Sequence, residues 1–164
     1  MEANTLISFD NLLRVLNEYG AAIRNEYQDN LIRNDRIASG DLLNNAEFEV
    51  VQDNMRFLVN LHLRDYWRYI VDGAPPHWPP VDEILKWIKV KPVLPQPDEN
   101  GRLPKPESLA FLIARKISVA GTEGSKDLHE AAKTINEEYR EKIIEAFRQD
   151  VQDGMHGMII EFFK

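Results

Sequence analysis

The side chains that could do chemistry in this sequence are scattered along the chain. The four histidines are His62, His77, His129 and His156. No two of them have the His-x-x-x-His or His-Glu-x-x-His spacing that places two imidazoles on one helix face around a metal ion. The histidines therefore predict no metal site.

The sequence motifs of phosphate binding and nucleophilic catalysis are also absent. Gly121 and Gly124 lack the Lys-Ser/Thr pair that completes a phosphate-binding loop. Ser39 lacks the Gly-x-Ser-x-Gly turn of hydrolases. Asp82 and Glu83 are adjacent, as in a catalytic carboxylate pair. A predicted helix begins there, however, and carboxylates are favoured in the first turn because they interact with the positive end of the helix. We therefore predict no catalytic residue, no cofactor and no enzyme activity.

A proline-rich segment indicates protein binding instead. Trp78 lies between Pro76-His77 and Pro79-Pro80, and prolines restrict the backbone on both sides. Because Trp is prominent among residues that dominate interfaces, we predict Trp78 as an interface residue, with His77 and Pro79 beside it. The simpler alternative for His77 is an exposed loop histidine. Trp67 and Trp87 have apolar helical neighbours, so we expect them to pack in the core against a hairpin.

A second candidate contact is the loop at about residues 92–106. It holds five of the nine prolines of the chain, and a loop of this length is usually functional or disordered. Two interpretations stay open. The loop is either an arm that reaches a neighbouring subunit, with Leu94 and Leu103 as contacts, or a solvent-exposed loop that contacts no partner.

Hydrophobic spacing predicts several helices. Apolar residues recur every three or four positions over residues 9–33, 108–120 and 126–153. The first is a long N-terminal helix that Ser8 is expected to cap, and the last is a long C-terminal helix. In the middle helix we expect Leu109, Leu112, Ile113, Ile117 and Ala120 to face inward. We interpret the N-terminal apolar stripe as core rather than as a partner surface.

Alternating apolar residues predict a hairpin at 46–63. A two-residue turn at Asp53-Asn54 would pair Val50 with Phe57 and bury Phe57. The apolar run at 158–163 predicts a C-terminal strand that joins the hairpin, because a sheet of two strands alone is only marginally stable in water. The expected fold is α+β, a small antiparallel sheet under several helices.

Composition limits the class of protein. The chain has 164 residues, no cysteine and a net charge of −7, which fits a single domain spanning 1–164 with the proline-rich loop as an excursion. No apolar run approaches the ~18 residues of a membrane span, so we expect no membrane association. The acidic balance argues against a surface built to grip nucleic acid.

Three motifs occur in a fixed order along the chain. They are Asp-Tyr-x-x-Tyr-Ile-x-x-Gly at 65–73, Pro-Pro-Val-x-x-Ile-x-x-Trp-Ile-x-x-Lys at 79–91, and Ser-Leu-Ala-Phe-x-Ile-Ala-x-Lys-Ile-x-x-x-Gly at 108–121. Ser39-Gly40-x-Leu42 precedes them and is followed by the predicted hairpin. Together, over about residues 10–125, these motifs resemble the head–tail joining (neck or tail-completion) proteins of tailed double-stranded DNA bacteriophages.

The resemblance implies a structural protein of a phage virion, made in the bacterial cytoplasm and located in the neck. It implies a homo-oligomeric ring that contacts the portal or adaptor protein and the tail proteins, and through which DNA passes without specific binding. The alternative is a non-enzymatic intracellular or prophage-borne protein-binding module. A ring former should associate at high concentration or on its partner, whereas a binding module would stay monomeric.

The net negative charge suggests that the channel surface of such a ring would repel DNA rather than bind it. Carboxylates facing the channel would let a polyanion pass, whereas lysines would hold it. The candidates are Glu137, Glu138, Glu141 and Glu145, with Glu47 and Glu49 as the second set, and a lumen lined by Lys86, Lys89 and Lys91 would contradict them. The alternative is that these carboxylates are solubility charges on an outer face.

Overall fold

The computed structural model describes residues 7–91, 93, 95–97 and 99–162, without the side chains of the last two. The helices are α1 (Asp10–Arg33), α2 (Asp41–Asn44), α3 (Trp67–Val71), α4 (Val81–Val90), α5 (Pro106–Ala120) and α6 (Asp127–Phe162). The strands are β1 (Glu47–Asp53), β2 (Arg56–His62), β3 (Gly73–Ala74) and β4 (Thr122–Glu123). The predicted α+β class, with long helices at both ends, is confirmed. None of the helices within the described ranges is long and apolar enough to cross a membrane.

The two long helices form the axis of the molecule and run antiparallel. At one end Asn30 of α1 donates a hydrogen bond to the carbonyl of Asp127 at 3.1 Å. At the other end Asn11 donates to Asp150 at 2.8 Å. The buried residues of α1 include Leu12, Val15, Leu16, Tyr27 and Leu31. The interpretation of the N-terminal apolar stripe as core is therefore confirmed.

The predicted cap of α1 was wrong. Ser8 is exposed, and Phe9 occupies the N-cap position without a side-chain hydrogen bond. The cap comes from α6. The buried Asp150 accepts hydrogen bonds from the backbone N–H of Asn11 at 3.2 Å and of Leu12 at 2.8 Å. A carboxylate there satisfies N–H groups that have no partner within the helix and neutralises its positive end.

The predicted C-terminal strand was also wrong, because α6 continues as a helix to Phe162. Gly154 and Gly157 do not end the helix. A helical glycine costs only about 1 kcal/mol relative to alanine, and Gly154 lets the helix approach Ile7 so closely that a Cβ would lie 2.6 Å from it. The hairpin has therefore gained no third strand within the described residues.

The hairpin forms where expected but with a different register. Val50 pairs with Val59, and Phe57 pairs with Gln52, two residues from the predicted partner. The turn lies at Asn54-Met55 because Asn54 adopts the positive φ of 54°. A shift of two residues keeps every side chain on its face. Phe57 is half-buried rather than buried as predicted, and its ring centroid lies 5.1 Å from that of Phe9.

The hairpin packs on α1 at Gly20. A Cβ added to Gly20 would lie 2.4 Å from the Phe48 ring and 3.0 Å from Val59. The Phe48 ring is also covered by the Arg24 guanidinium, 5.4 Å from its centroid. Gly20 therefore sets the distance between helix and sheet.

We expect Gly20→Ala to lower the free energy of unfolding by about 1–2 kcal/mol. The overlap with Phe48 outweighs the ~1 kcal/mol that alanine gains in a helix. The matched control is Gly157→Ala, where no atom of the described residues lies within 4 Å of the added Cβ and the propensity gain should appear alone. Urea unfolding measures both changes. Equal gains in the two variants would contradict the close packing, and adding Phe48→Leu should restore part of the loss.

A second small sheet joins β3 to β4, with Gly73 paired to Glu123 and Ala74 to Thr122. It brings the end of the first sequence motif against the end of the third. Gly73 and Gly121 both adopt positive φ, 80° and 71°. A Cβ would lie 2.2 Å from the Thr122 carbonyl oxygen at Gly73, and 2.3 Å from the Ala74 carbonyl oxygen at Gly121. Only glycine fits this contact without strain.

Helices α4 and α5 pack through small side chains. Ile84 and Ile88 of α4 meet the fully buried Ala110 and Ala114 of α5. Of the residues expected to face inward, Leu109, Ile113 and Ile117 are half-buried against this cluster, whereas Leu112 and Ala120 are exposed. The prediction was wrong for those two because the face that meets α4 is centred on the alanines.

One buried tyrosine should titrate abnormally. Tyr27 is fully buried, and its hydroxyl has no hydrogen-bond partner among the described groups. Burial raises the pKa of the Tyr27 phenol above its ordinary value, and the nearby Asp127 carboxylate raises it further. The phenol therefore holds its proton more tightly in the folded chain than in the unfolded chain.

The raised pKa of Tyr27 predicts that the protein loses stability at alkaline pH, and Tyr27→Phe should remove this loss. The folded chain binds more protons above pH ~10, so the stabilisation is complete below that pH and is lost as the pH rises toward the raised pKa. The loss per pH unit is at most about 1.4 kcal/mol. We expect Tyr27→Phe to lose less stability than the parent chain between pH 8 and 11 in urea unfolding. Identical losses would contradict the assignment.

Candidate functional site

The proline segment presents Trp78 to solvent on a fixed backbone. It runs from β3 to Pro80, which takes the N-cap position of α4 with φ −61° and ψ 118°. Pro79 is buried, whereas Trp78 is 54% exposed. The predicted interface residues Trp78 and Pro79 thus have different roles. Pro79 fixes the segment against the protein, and Trp78 faces outward.

A second aromatic ring completes this surface. Phe111 of α5 is 50% exposed, and its ring lies 5.6 Å from that of Trp78 at an interplanar angle of 63°. Edge-to-face rings of this kind stabilise each other. Sequence reasoning did not select Phe111 as an interface residue, although it belongs to the third motif. Its signal was an apolar position that flanks the Ala110 and Ala114 face of α5.

The other predicted interface residues do not join the ring pair. His77 is exposed, and its Nδ1 lies 2.9 Å from the carbonyl oxygen of Pro75, which it contacts as a donor when protonated there. Leu103 is exposed in the loop before α5. Leu94 lies outside the described residues. No helix or strand occurs in the described part of residues 92–105.

Next to the proline segment lies a cleft of about 750 Å³. It is formed by the chain after α1, by α2 and α3, by the end of α4 and by the β3–β4 pair. Its apolar lining comes from Leu31, Ile37, Leu42, Ile70 and Ile117, and its aromatic lining from Tyr66, Tyr69, His77 and Trp87. A cleft of this size and character can hold several apolar side chains.

Two ion pairs hold the walls of the cleft. Lys91, at the end of α4, pairs with Asp35 at 2.9 Å and also donates to the Asp35 carbonyl. Arg64 pairs with Asp41 of α2 at 3.2 Å. Tyr66 donates a hydrogen bond to Asp41 at 3.2 Å. Burial raises the pKa of the Tyr66 phenol, and the bond to Asp41 raises it further. These contacts connect the segment after α1 to α3 and α4.

The expectation that Trp67 and Trp87 pack against the hairpin was wrong. Trp67 is half-buried against the cluster of Tyr27, Leu31 and Val71. Trp87 is partly exposed in the cleft. The hairpin instead covers the first half of α1, so α3 and α4 pack at the other end of the molecule.

The four histidines remain apart in the fold. His62 pairs with Glu49 at 3.2 Å and His129 with Asp72 at 3.0 Å, both on the surface. His156 Nδ1 lies 3.2 Å from the carbonyl oxygen of Gln152. Among the residues that the structure describes, no three His, Asp or Glu side chains are grouped as metal ligands.

Comparison of the chain with protein-family models, with curated proteins and with solved structures finds no match. The resemblance to phage head–tail joining proteins therefore rests on the three sequence motifs. In the fold, parts of these motifs lie close together. The glycines that end the first and third motifs, Gly73 and Gly121, meet at the β3–β4 pair, and the second motif supplies both Pro79 and Lys91.

Proposed function

We propose that this protein is a structural subunit of the neck of a tailed phage, where a ring of copies joins the portal to the tail and lets DNA pass. The motifs in residues 65–121 carry the phage assignment. The role in protein assembly is supported by the exposed aromatic pair formed by Trp78 on the proline-fixed segment and Phe111 on α5. A large aromatic side chain that is already held in place loses little conformational entropy on binding.

In this proposal the Trp78–Phe111 pair contacts a portal, adaptor or tail protein of the same virion. The pair lies beside the cleft, and Tyr69, Trp87 and Val90 add further exposed apolar area around the same end of the molecule. A monomeric protein seldom exposes a large contiguous apolar area that has no partner. This end of the molecule is therefore the proposed partner surface.

The proposed channel surface is the acidic face of α6. Glu137, Glu138, Glu141 and Glu145 are all exposed. Lys142 forms an ion pair with Glu138 at 2.8 Å, and Arg148 forms one with Glu145 at 2.6 Å. The negative charges of Glu138 and Glu145 are therefore balanced by these partners. Glu137 and Glu141 form no ion pair with a described residue and would carry the repulsion toward DNA. Ring symmetry would multiply that charge.

The partner surface is tested by co-purification with the proteins encoded next to this chain in its genome. We expect Trp78→Ala to lose the portal-side or tail-side partner. Met55→Ala is the matched control, since Met55 is an exposed apolar residue at the hairpin turn. Retention of the partner by Trp78→Ala, or equal loss in both variants, would contradict the proposed surface. A chain that stays monomeric and binds a cellular protein would favour the binding module.

The channel surface is tested by DNA binding. Purified protein should not shift duplex DNA in a gel even at low salt, where phosphate contacts are strongest. Charge reversal of Glu137 and Glu141 to lysine should create salt-sensitive binding in the assembled ring. Tight, salt-sensitive DNA binding by the unmodified chain would contradict the proposal.

A further inference from the structure

Helices α4 and α5 have a hydrophobic core of their own. The buried isoleucines of α4 meet the buried alanines of α5, and every other member of this cluster comes from residues 81–117. Among the described residues, the cluster shares no member with the one around Tyr27, which joins α1, α3 and α6. The ring contact between Trp78 and Phe111 ties the proline segment to α5. Because a group of elements with its own core can move as one body, we treat residues 75–120 as the α4–α5 unit.

The chain enters and leaves the α4–α5 unit at one narrow place. Ala74, just before the unit, pairs with Thr122, just after it, and the Ala74 N–H also donates to the Thr122 hydroxyl at 3.0 Å. Gly121 lies so close that a Cβ there would be 2.3 Å from the Ala74 carbonyl oxygen. Beyond this pair, the Ser125 N–H donates to the carbonyl of Ile70 at 2.8 Å, which fixes the chain to α3. Both connections of the unit therefore run side by side through the β3–β4 pair.

The cleft separates the α4–α5 unit from the body of the molecule, formed by α1, α3 and α6. Trp87 and Ile117 line it from the unit, whereas Leu31 and Ile70 line it from the body. A gap of about 750 Å³ means that these walls are not close-packed against each other. Hinge motions are absorbed by a few residues at the ends of elements. Gly121, which ends α5 with a φ of 71°, has this position.

An ion pair joins the two sides of the cleft. Lys91, directly after α4, lies 2.9 Å from the Asp35 carboxylate, and it also donates to the Asp35 carbonyl. Asp35 follows the end of α1, and its side chain is 86% exposed. An exposed ion pair contributes little to stability. Its strength corresponds to a shift of roughly two- to fivefold in a two-state equilibrium, so the pair can favour one arrangement without locking it.

We propose that the α4–α5 unit swings about the β3–β4 pair, and that the Lys91–Asp35 ion pair holds it closed against the body. The unit carries the Trp78–Phe111 pair, whereas the body carries α6. The swing therefore changes the angle between the proposed partner surface and the proposed channel surface. The motion itself does not depend on the phage assignment and applies equally to a binding module.

Distances between spin labels test the swing, since the chain contains no cysteine that would have to be replaced. Asp29→Cys on α1 and Lys89→Cys on α4 are exposed positions, and double electron–electron resonance reports the distance between them. Lys91→Met removes the charge and keeps the length of the side chain. We expect it to raise the population of a second distance roughly two- to fivefold.

Two controls accompany this measurement. Lys86→Met breaks an ion pair of 2.7 Å with Glu83 that lies within α4, so the distance between unit and body should stay as in the parent chain. A label pair at Asp29→Cys and Lys133→Cys, both exposed, reports a distance within the body, between α1 and α6. This second distance should be the same in all variants.

Salt provides a test without a substitution at the ion pair. Because dissolved ions screen an exposed pair, added KCl should shift the unit-to-body distances of the parent chain as Lys91→Met does, and should have no further effect on Lys91→Met. The inference is overturned if Lys91→Met behaves like Lys86→Met, or if the α1–α6 distance broadens as well, which would indicate general loosening. A swing in a chain that is absent from virions would refute the neck function and leave this inference intact.

Discussion

Gly73→Ala is expected to lower the free energy of unfolding by about 4 kcal/mol, the largest effect of any alanine substitution considered for this chain. The residue adopts φ 80°, and a left-handed conformation costs a non-glycine residue roughly 1–2 kcal/mol. The added Cβ would also lie 2.2 Å from the Thr122 carbonyl oxygen and 2.7 Å from the Gly124 nitrogen. Both atoms belong to the backbone, so relief requires β4 to move away and the β3–β4 pairing to break.

Gly101→Ala separates these two contributions. Gly101 adopts a similar φ of 75°, but no atom in the described part of the chain lies within 4 Å of its added Cβ. The variant should therefore show only the conformational cost of about 1–2 kcal/mol. Urea unfolding of both variants gives the comparison. If Gly73→Ala is no less stable than Gly101→Ala, the close approach of β3 and β4 is wrong.

Asp150→Ala is expected to destabilise the protein by about 3 kcal/mol. The carboxylate accepts from two backbone N–H groups of α1 and from the Asn11 side chain. Hydrogen bonds to a charged group each contribute roughly 1.5–3 kcal/mol, and the described residues provide no other side-chain cap for α1. Removal leaves donors at a partly buried helix end without partners.

Two variants check the role of Asp150. Asp150→Asn keeps one acceptor but loses the charge, so we expect about half of the loss. Asp153→Ala removes a carboxylate from an exposed position of the same helix and should change stability by less than about 0.5 kcal/mol. Thermal or urea unfolding measures all three. Equal effects at Asp150 and Asp153 would show that Asp150 does not cap α1.

Periodicity predicted the helices and the faces of the hairpin because each depends on a repeating local pattern. It could not fix the hairpin register, since moving Phe57 from Val50 to Gln52 leaves its face unchanged. It failed at the end of α6 for a related reason. A short apolar run such as Met158-Ile159-Ile160 fits a buried strand or a buried helix end equally well.

The candidate site was only partly predictable. Trp78 could be selected from residue type and its flanking prolines, which are local features. The cleft depends on segments that are distant in sequence, such as the chain after α1 and the β3–β4 pair. The Asp150 cap likewise joins residues 138 positions apart. Sequence patterns do not report contacts of this range, so these features became visible only in the fold.

The most direct test of the proposed neck function is a cryo-EM reconstruction of tailed-phage particles from a bacterium that expresses this chain. We expect a ring of copies between portal and tail, with Glu137 and Glu141 facing the DNA channel and the Trp78–Phe111 pair against a neighbouring neck protein. Absence of the chain from the neck would contradict the proposed function. A channel lined by Lys86, Lys89 and Lys91 would contradict the assigned orientation of the subunit.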